Sequence, residues 1–128
     1  MTRQHDLPES RPDGGPLNSA ISEAIVRLMA DRTGRGPTRA RTTIDRDLIV
    51  VVLQNSLTAG ERFLVDSDRS DEVLRFRRTY QHAMRTDCVA AIEDLTARTV
   101  VAFMSANHID PDLAAEVFVL SPEVAPRA

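Results

Sequence analysis

Ile44-Asp45-Arg46-Asp47-Leu48 returns later in the chain as Ile109-Asp110-Pro111-Asp112-Leu113. Both copies read I-D-x-D-L, a pair of turn-forming aspartates between apolar runs of strand type. A second pair of blocks precedes them in the same order: Asp31-Arg32-Thr33-Gly34-Arg35 and Asp94-Leu95-Thr96-Ala97-Arg98, both D-x-T-small-R. Both D-x-T-small-R blocks fall where a helical pattern stops, and both I-D-x-D-L blocks at the tip of a hairpin. The repetition predicts two α-ββ units and an α+β fold: a four-stranded antiparallel sheet packed with helices, with pseudo-twofold symmetry.

Working outward, Ile21, Ala24, Ile25, Leu28 and Met29 recur at helical spacing, so a first helix is expected from Asn18, as N-cap, to Thr33, with Gly34 as its stop. Arg39 to Ile44 and Leu48 to Gln54 form the first hairpin. Thr58-Ala59-Gly60-Glu61 has capping-box form and opens a short second helix ending near Asp66. A long third helix, capped by Asp68 or Ser70, runs to about Ala97 on a stripe of Val73, Phe76, Tyr80, Met84, Cys88, Ala91, Ile92 and Leu95. Thr99 to Ala106 and Leu113 to Leu120 form the second hairpin, with Asn107 to Asp112 as its loop. Leu48 to Leu53 is apolar without alternation and Val100 to Met104 nearly so, the pattern of strands covered on both faces. The third helix also overhangs any strand of ordinary length. Both features predict a homodimer.

The chain has 128 residues, 42% apolar and 27% charged, with a net charge of −3. That size suits one globular domain, expected over 17–120, with a disordered tail over 1–16 and a loose one over 121–128. The acidic balance makes nucleic acid an unlikely partner for the surface as a whole. All 16 basic residues are arginine, and the one cysteine, Cys88, reads as a core residue. The longest apolar run, Leu48 to Leu53, is far short of the roughly 20 residues of a span, so no membrane insertion and a cytoplasmic location are expected. His5, His82 and His108 lack zinc spacing, the aspartate pairs lack the further oxygens of a calcium loop, and neither a cofactor nor a metal is expected.

The most site-like segment is Arg35-Gly36-Pro37-Thr38 with Arg39 and Arg41. Arg39 and Arg41 alternate along one strand face, so both guanidinium groups point the same way and suit an anion. The bland alternative is an edge strand protected by solvated arginines. Asn107, His108 and Glu116 near the second hairpin form a second polar group. Without a nucleophile motif they do not make a triad, so no catalytic residue is assigned. The candidate binding residues are Gly36, Thr38, Arg39, Arg41, Asn107, His108 and Glu116. The arginines of the third helix, Arg69, Arg75, Arg77, Arg78 and Arg85, read as a solvated face diluted by acids.

Several strings extend the reading: G-R-G-P-T-R-A-R-T at Gly34 to Thr42, D-L-I-V-V-V-L at Asp47 to Leu53, L-T-A-G-E at Leu57 to Glu61, and F-R-R-T-Y-Q-H-A-M-R in the third helix. The most specific is V-V-A-F-M-S-A-N-H-I-D-P-D-L-A-A-E-V-F-V-L, Val100 to Leu120. Through these, Leu17 to Leu120 resembles the MpsC family of small soluble bacterial proteins. The family is named for a membrane-potential-generating system linked to sodium translocation or bicarbonate uptake, whose other members include membrane proteins. The resemblance implies a soluble, non-catalytic accessory or regulatory protein with a membrane-system partner, and it carries over no catalytic residues. The alternative is a module using its arginine-rich faces to bind small anions or nucleic acid.

Overall fold

Pro16 opens α1 (Pro16–Thr33) at the first helical turn, where its missing N–H is no loss. The computed structural model describes residues 15–122; of the tails expected over 1–16 and 121–128, residues 1–14 and 123–128 lie outside the described residues, while Pro16 already belongs to α1. Asn18, expected as the cap, sits inside the helix instead. It is buried, and its Nδ2 donates to the Thr42 carbonyl at 2.9 Å, tying α1 to the sheet. α2 (Ala59–Asp66) begins at the expected capping box: Thr58 Oγ1 accepts from Glu61 N at 3.1 Å and Glu61 Oε1 from Thr58 N at 2.8 Å. α3 (Ser70–Thr96) follows, with Arg69 rather than Asp68 or Ser70 in the cap position.

The strands are β1 (Arg39–Asp45), β2 (Leu48–Gln54), β3 (Val100–His108) and β4 (Leu113–Leu120), in the order β1-β2-β4-β3, antiparallel throughout. The two hairpins therefore meet at β2 and β4, on the pseudo-twofold axis. β3 runs two residues past the expected end, because Asn107 and His108 still pair with Ala114 and Leu113.

The repeated D-x-T-small-R block proves to be a device for stopping a helix and fastening it to the sheet. Gly34 and Ala97 both adopt the left-handed conformation, at φ 80° and 58°. Thr33 Oγ1 donates to Met29 O and accepts from Arg35 N; Thr96 Oγ1 does the same with Ile92 O and Arg98 N. Arg35 then donates to Asn55 O, just after β2, and Arg98 to Ser121 O, just after β4, each at 2.6 Å. Next to the first stop, Gly36 lies so close to α1 that a Cβ there would meet Val26 O at 3.2 Å and the Ala30 methyl at 3.3 Å. Its small size serves helix–strand packing.

α1 and α3 cover one face of the sheet. Ile21, Ile25 and Met29 of α1 and Met84, Cys88 and Ile92 of α3 pack on Ile49, Val51, Leu53, Ala114, Phe118 and Leu120. Burying a side chain of this size contributes about 1.5–3 kcal/mol, so these contacts dominate the stability. Along α3 the buried positions are Val73, Arg77, Gln81, Met84, Cys88 and Ile92. The expected stripe is thus rotated in its first half: Phe76 is 52% exposed, whereas Arg77, expected in solvent, is 7% exposed.

Within the described residues of one chain, β2 and β3 are covered by helices on one face of the sheet. On β2, Ile49, Val51 and Leu53 are buried, while Val50 and Val52 are only half-buried. Cross-strand pairing sets the uncovered face out in rows: Thr43, Val50, Val117, Met104; Arg41, Val52, Ala115, Ala106; and Asp45, Leu48, Val119, Ala102. Its centre is apolar and its β1 edge charged. Leu48, Val101 and Met104 are 40%, 59% and 52% exposed.

Candidate functional site

A cleft of about 240 Å³ opens where the end of α1, the loop after β2, the first turn of α2 and the Phe76 to Met84 stretch of α3 converge. Each wall has a local cause. The capping box holds Glu61 turned inward at the start of α2. The helical period of α3 brings Arg77 and Gln81 onto the same line as Val73 and Met84. The loop carrying Ser56 is pinned from the far hairpin: Asp112 accepts from Ser56 N at 3.2 Å and Leu57 N at 3.0 Å, and Arg35 donates to Leu57 O at 3.0 Å.

At the floor, Arg77 Nη1 meets Glu61 Oε1 at 3.3 Å and Nη2 donates to Ser56 Oγ at 3.0 Å. Both partners of this ion pair are nearly buried. Met29, Met84, Phe76 and Tyr80 supply apolar walls. The Tyr80 hydroxyl donates to Arg32 O, which fixes that ring against the end of α1. The polar lining continues under α3. Gln81 and Asn107 exchange reciprocal amide hydrogen bonds, each 3.0 Å. Beyond them the Ser105 hydroxyl bonds to Glu116. Burial pushes the Glu116 carboxyl up to about 7, opposed by the Ser105 hydrogen bond and the charge of Arg77. Burial, with the charges of Glu116 and Asp87, pushes the neighbouring Cys88 thiol up to about 12, so it stays a neutral core group.

The residues singled out from sequence divide between the two faces. Asn107 and Glu116 point to the helix side and belong to this polar file. His108 lies on the opposite side, exposed, with Nδ1 2.9 Å from Pro111 O, so the three do not converge. Arg39 and Arg41 also lie on the uncovered face, on edge strand β1. Thr38 closes the hairpin end, its N donating to Gln54 O at 3.0 Å. The positive charge that acts on Glu116 is that of Arg77, while Arg98 pairs with Asp47 at 2.6 Å. Sequence reasoning gave Ser56, Gln81 and Ser105 no part, read Glu61 only as a helix cap, and placed Arg77 on a solvated face. The available signal was the spacing Val73, Arg77, Gln81, Met84, Cys88, Ile92, which continues an apolar line through two polar residues. Among the described residues, no group of three or more His, Cys, Asp or Glu side chains is placed to hold a metal ion, and no helix is long and apolar enough to cross a membrane.

Comparison with known proteins adds two findings. The profile of the family described as "Na+-translocating membrane potential-generating system (MpsC)" matches residues 14–122. The chain is also similar to the Bacillus subtilis (strain 168) protein "Uncharacterized protein YrhF", 25% identical over 106 residues, which covers 81% of this chain and 87% of the relative. No solved structure matches.

Proposed function

The chain belongs to the MpsC family, and from that premise we propose that it is a non-catalytic accessory protein of a membrane ion or bicarbonate transport system, acting in the cytoplasm as a homodimer. The observation that carries this reading is the uncovered sheet face. It has an apolar centre of Val50, Val52, Val117, Val119 and Met104 beside a charged edge. At about 4.8 Å per strand and 3.3 Å per residue it measures roughly 19 by 23 Å. Two such faces with their rims bury on the order of 1,000 Å² or more, within the range of specific but reversible interfaces. A twofold axis across the strands stacks β1 on β1 in opposite directions, which brings Arg41 of one protomer towards Asp45 of its partner. The face is thus self-complementary in charge as well as in hydropathy. The non-catalytic reading is supported by the polar side chains themselves, whose hydrogen bonds join elements of the fold to one another.

Sedimentation equilibrium tests the dimer. The expected mass rises with concentration towards twice 14.2 kDa. Val117→Glu, at the centre of the face, is expected to sediment as a monomer with unchanged far-UV circular dichroism. A wild-type chain that stays monomeric at about 100 μM, well above the range of specific interfaces of this size, overturns the reading.

A further inference from the structure

We propose that the cleft floored by Arg77 is a binding site for a small amphipathic monocarboxylate, whose carboxylate meets Arg77 and Ser56 and whose short apolar tail lies between Met29, Met84 and Phe76. This proposal is independent of the dimer reading, because the cleft lies on the helix side of the sheet.

Three observations define the ligand class. The first is charge. Among the lining residues Arg77 and Arg35 face one acid, Glu61, which leaves one positive charge that Glu116 beyond Arg77, its carboxyl pushed up to about 7 by burial, offsets only in part. A monoanion balances it; a dianion overshoots it. The second is donor geometry. A guanidinium has five N–H donors. Among the described residues, Arg77 uses one for a single, long 3.3 Å contact with Glu61 and one for Ser56. Glu61 Oε1 is shared with Thr58 N, so the pair does not form the two-pronged contact that a guanidinium and a carboxylate prefer. A ligand carboxylate supplies that contact. Ser56 Oγ accepts from Arg77, and its own proton is left to donate to the same ligand. The third is the wall. Two thioether side chains and the half-exposed Phe76 accept an aliphatic or aromatic group of variable shape. A volume of about 240 Å³ limits the ligand to a small molecule.

Hexanoate is a suitable probe, read by the amide NMR signals of the full chain. Saturable shifts are expected at Ser56, Thr58, Arg77 and Tyr80, with a dissociation constant in the millimolar range for about eight heavy atoms. Hexanamide, which matches the shape without the charge, is expected to bind at least about tenfold more weakly. Phe76→Ala and Ser56→Ala are each expected to weaken hexanoate about fivefold. Phe76 is half-exposed, so its variant remains folded and decides the matter even if Ser56→Ala does not fold. Equal binding of hexanamide reduces the site to an apolar hole and overturns the proposal. Equal binding of bicarbonate or phosphate makes it a bare anion site and overturns it too. Shifts confined to the uncovered sheet face, or none that saturate, also overturn it. Val117→Glu binds hexanoate as the wild type does, so failure of the dimer and failure of this site are read separately.

Discussion

Glu116 projects from the middle of β4 into the covered side of the sheet and is 2% exposed, with Ser105, Arg77 and Cys88 around it. Burial pushes its carboxyl up to about 7 from the ordinary value of 4.5, so between these values the folded chain holds a proton that the unfolded chain releases. Stability from this group is complete below about pH 4.5 and is lost as pH rises towards 7 and beyond. The loss is on the order of 3 kcal/mol at most, taking 1.36 kcal/mol per pH unit. Glu116→Gln retains an acceptor for Ser105 and removes the charge. Urea titrations are expected to show the variant close to wild type at pH 5 and more stable at pH 8. Equal slopes for the two proteins across that range refute the assignment. The sequence marked Glu116 as part of a polar group near the second hairpin. That a serine on the neighbouring strand, rather than an arginine, meets it directly depends on the β3–β4 register.

α1 and α3 end in the same way but with different residues at the left-handed position, Gly34 in one and Ala97 in the other. An L-residue in that conformation costs roughly 1–2 kcal/mol, which glycine avoids. Ala97→Gly is therefore expected to stabilise the protein by about 0.5–1 kcal/mol, seen as a higher urea midpoint at unchanged slope. Gly34→Ala is expected to lower it by a similar amount. The helix stops, the capping box of α2 and both hairpins were legible, because each depends on residues a few positions apart. The burial of α3 was legible only in part. Phe76 and Tyr80 are apolar and correctly spaced, but α2 and the loop after β2 lie over the line of Arg77 and Gln81 instead. A buried arginine is stable there only because Glu61 and Ser56, distant in sequence, are delivered to it.

For the whole molecule, the helices satisfy one face of the sheet and leave the other apolar. If two copies close over that face, unfolding is coupled to dissociation and the thermal midpoint depends on concentration. Above the dissociation constant, each tenfold increase in protein is expected to raise the midpoint by about 2–3 °C for a chain of this size. Val117→Glu is expected to show no such dependence. A wild-type midpoint independent of concentration, measured by differential scanning calorimetry from about 5 to 500 μM, removes the coupling.

Local chemistry alone determined the element order, the strand boundaries to within a residue or two, the duplicated α-ββ plan and the family resemblance. Caps, turn formers and hydrophobic period act over a few residues; the repeated D-x-T-small-R block carries the same helix stop in both halves, and the I-D-x-D-L block marks a hairpin tip in both, of two residues in the first and four in the second. Tertiary structure decided which surfaces these elements share. Asn107 and Glu116 went to the helix side and His108 to the other, because adjacent strand positions face opposite ways and register decides which face is covered. The cleft at Arg77 was settled at the same level. It exists because Asp112 of the second hairpin holds the Ser56 loop against α3, a contact between residues more than fifty positions apart that no local pattern encodes.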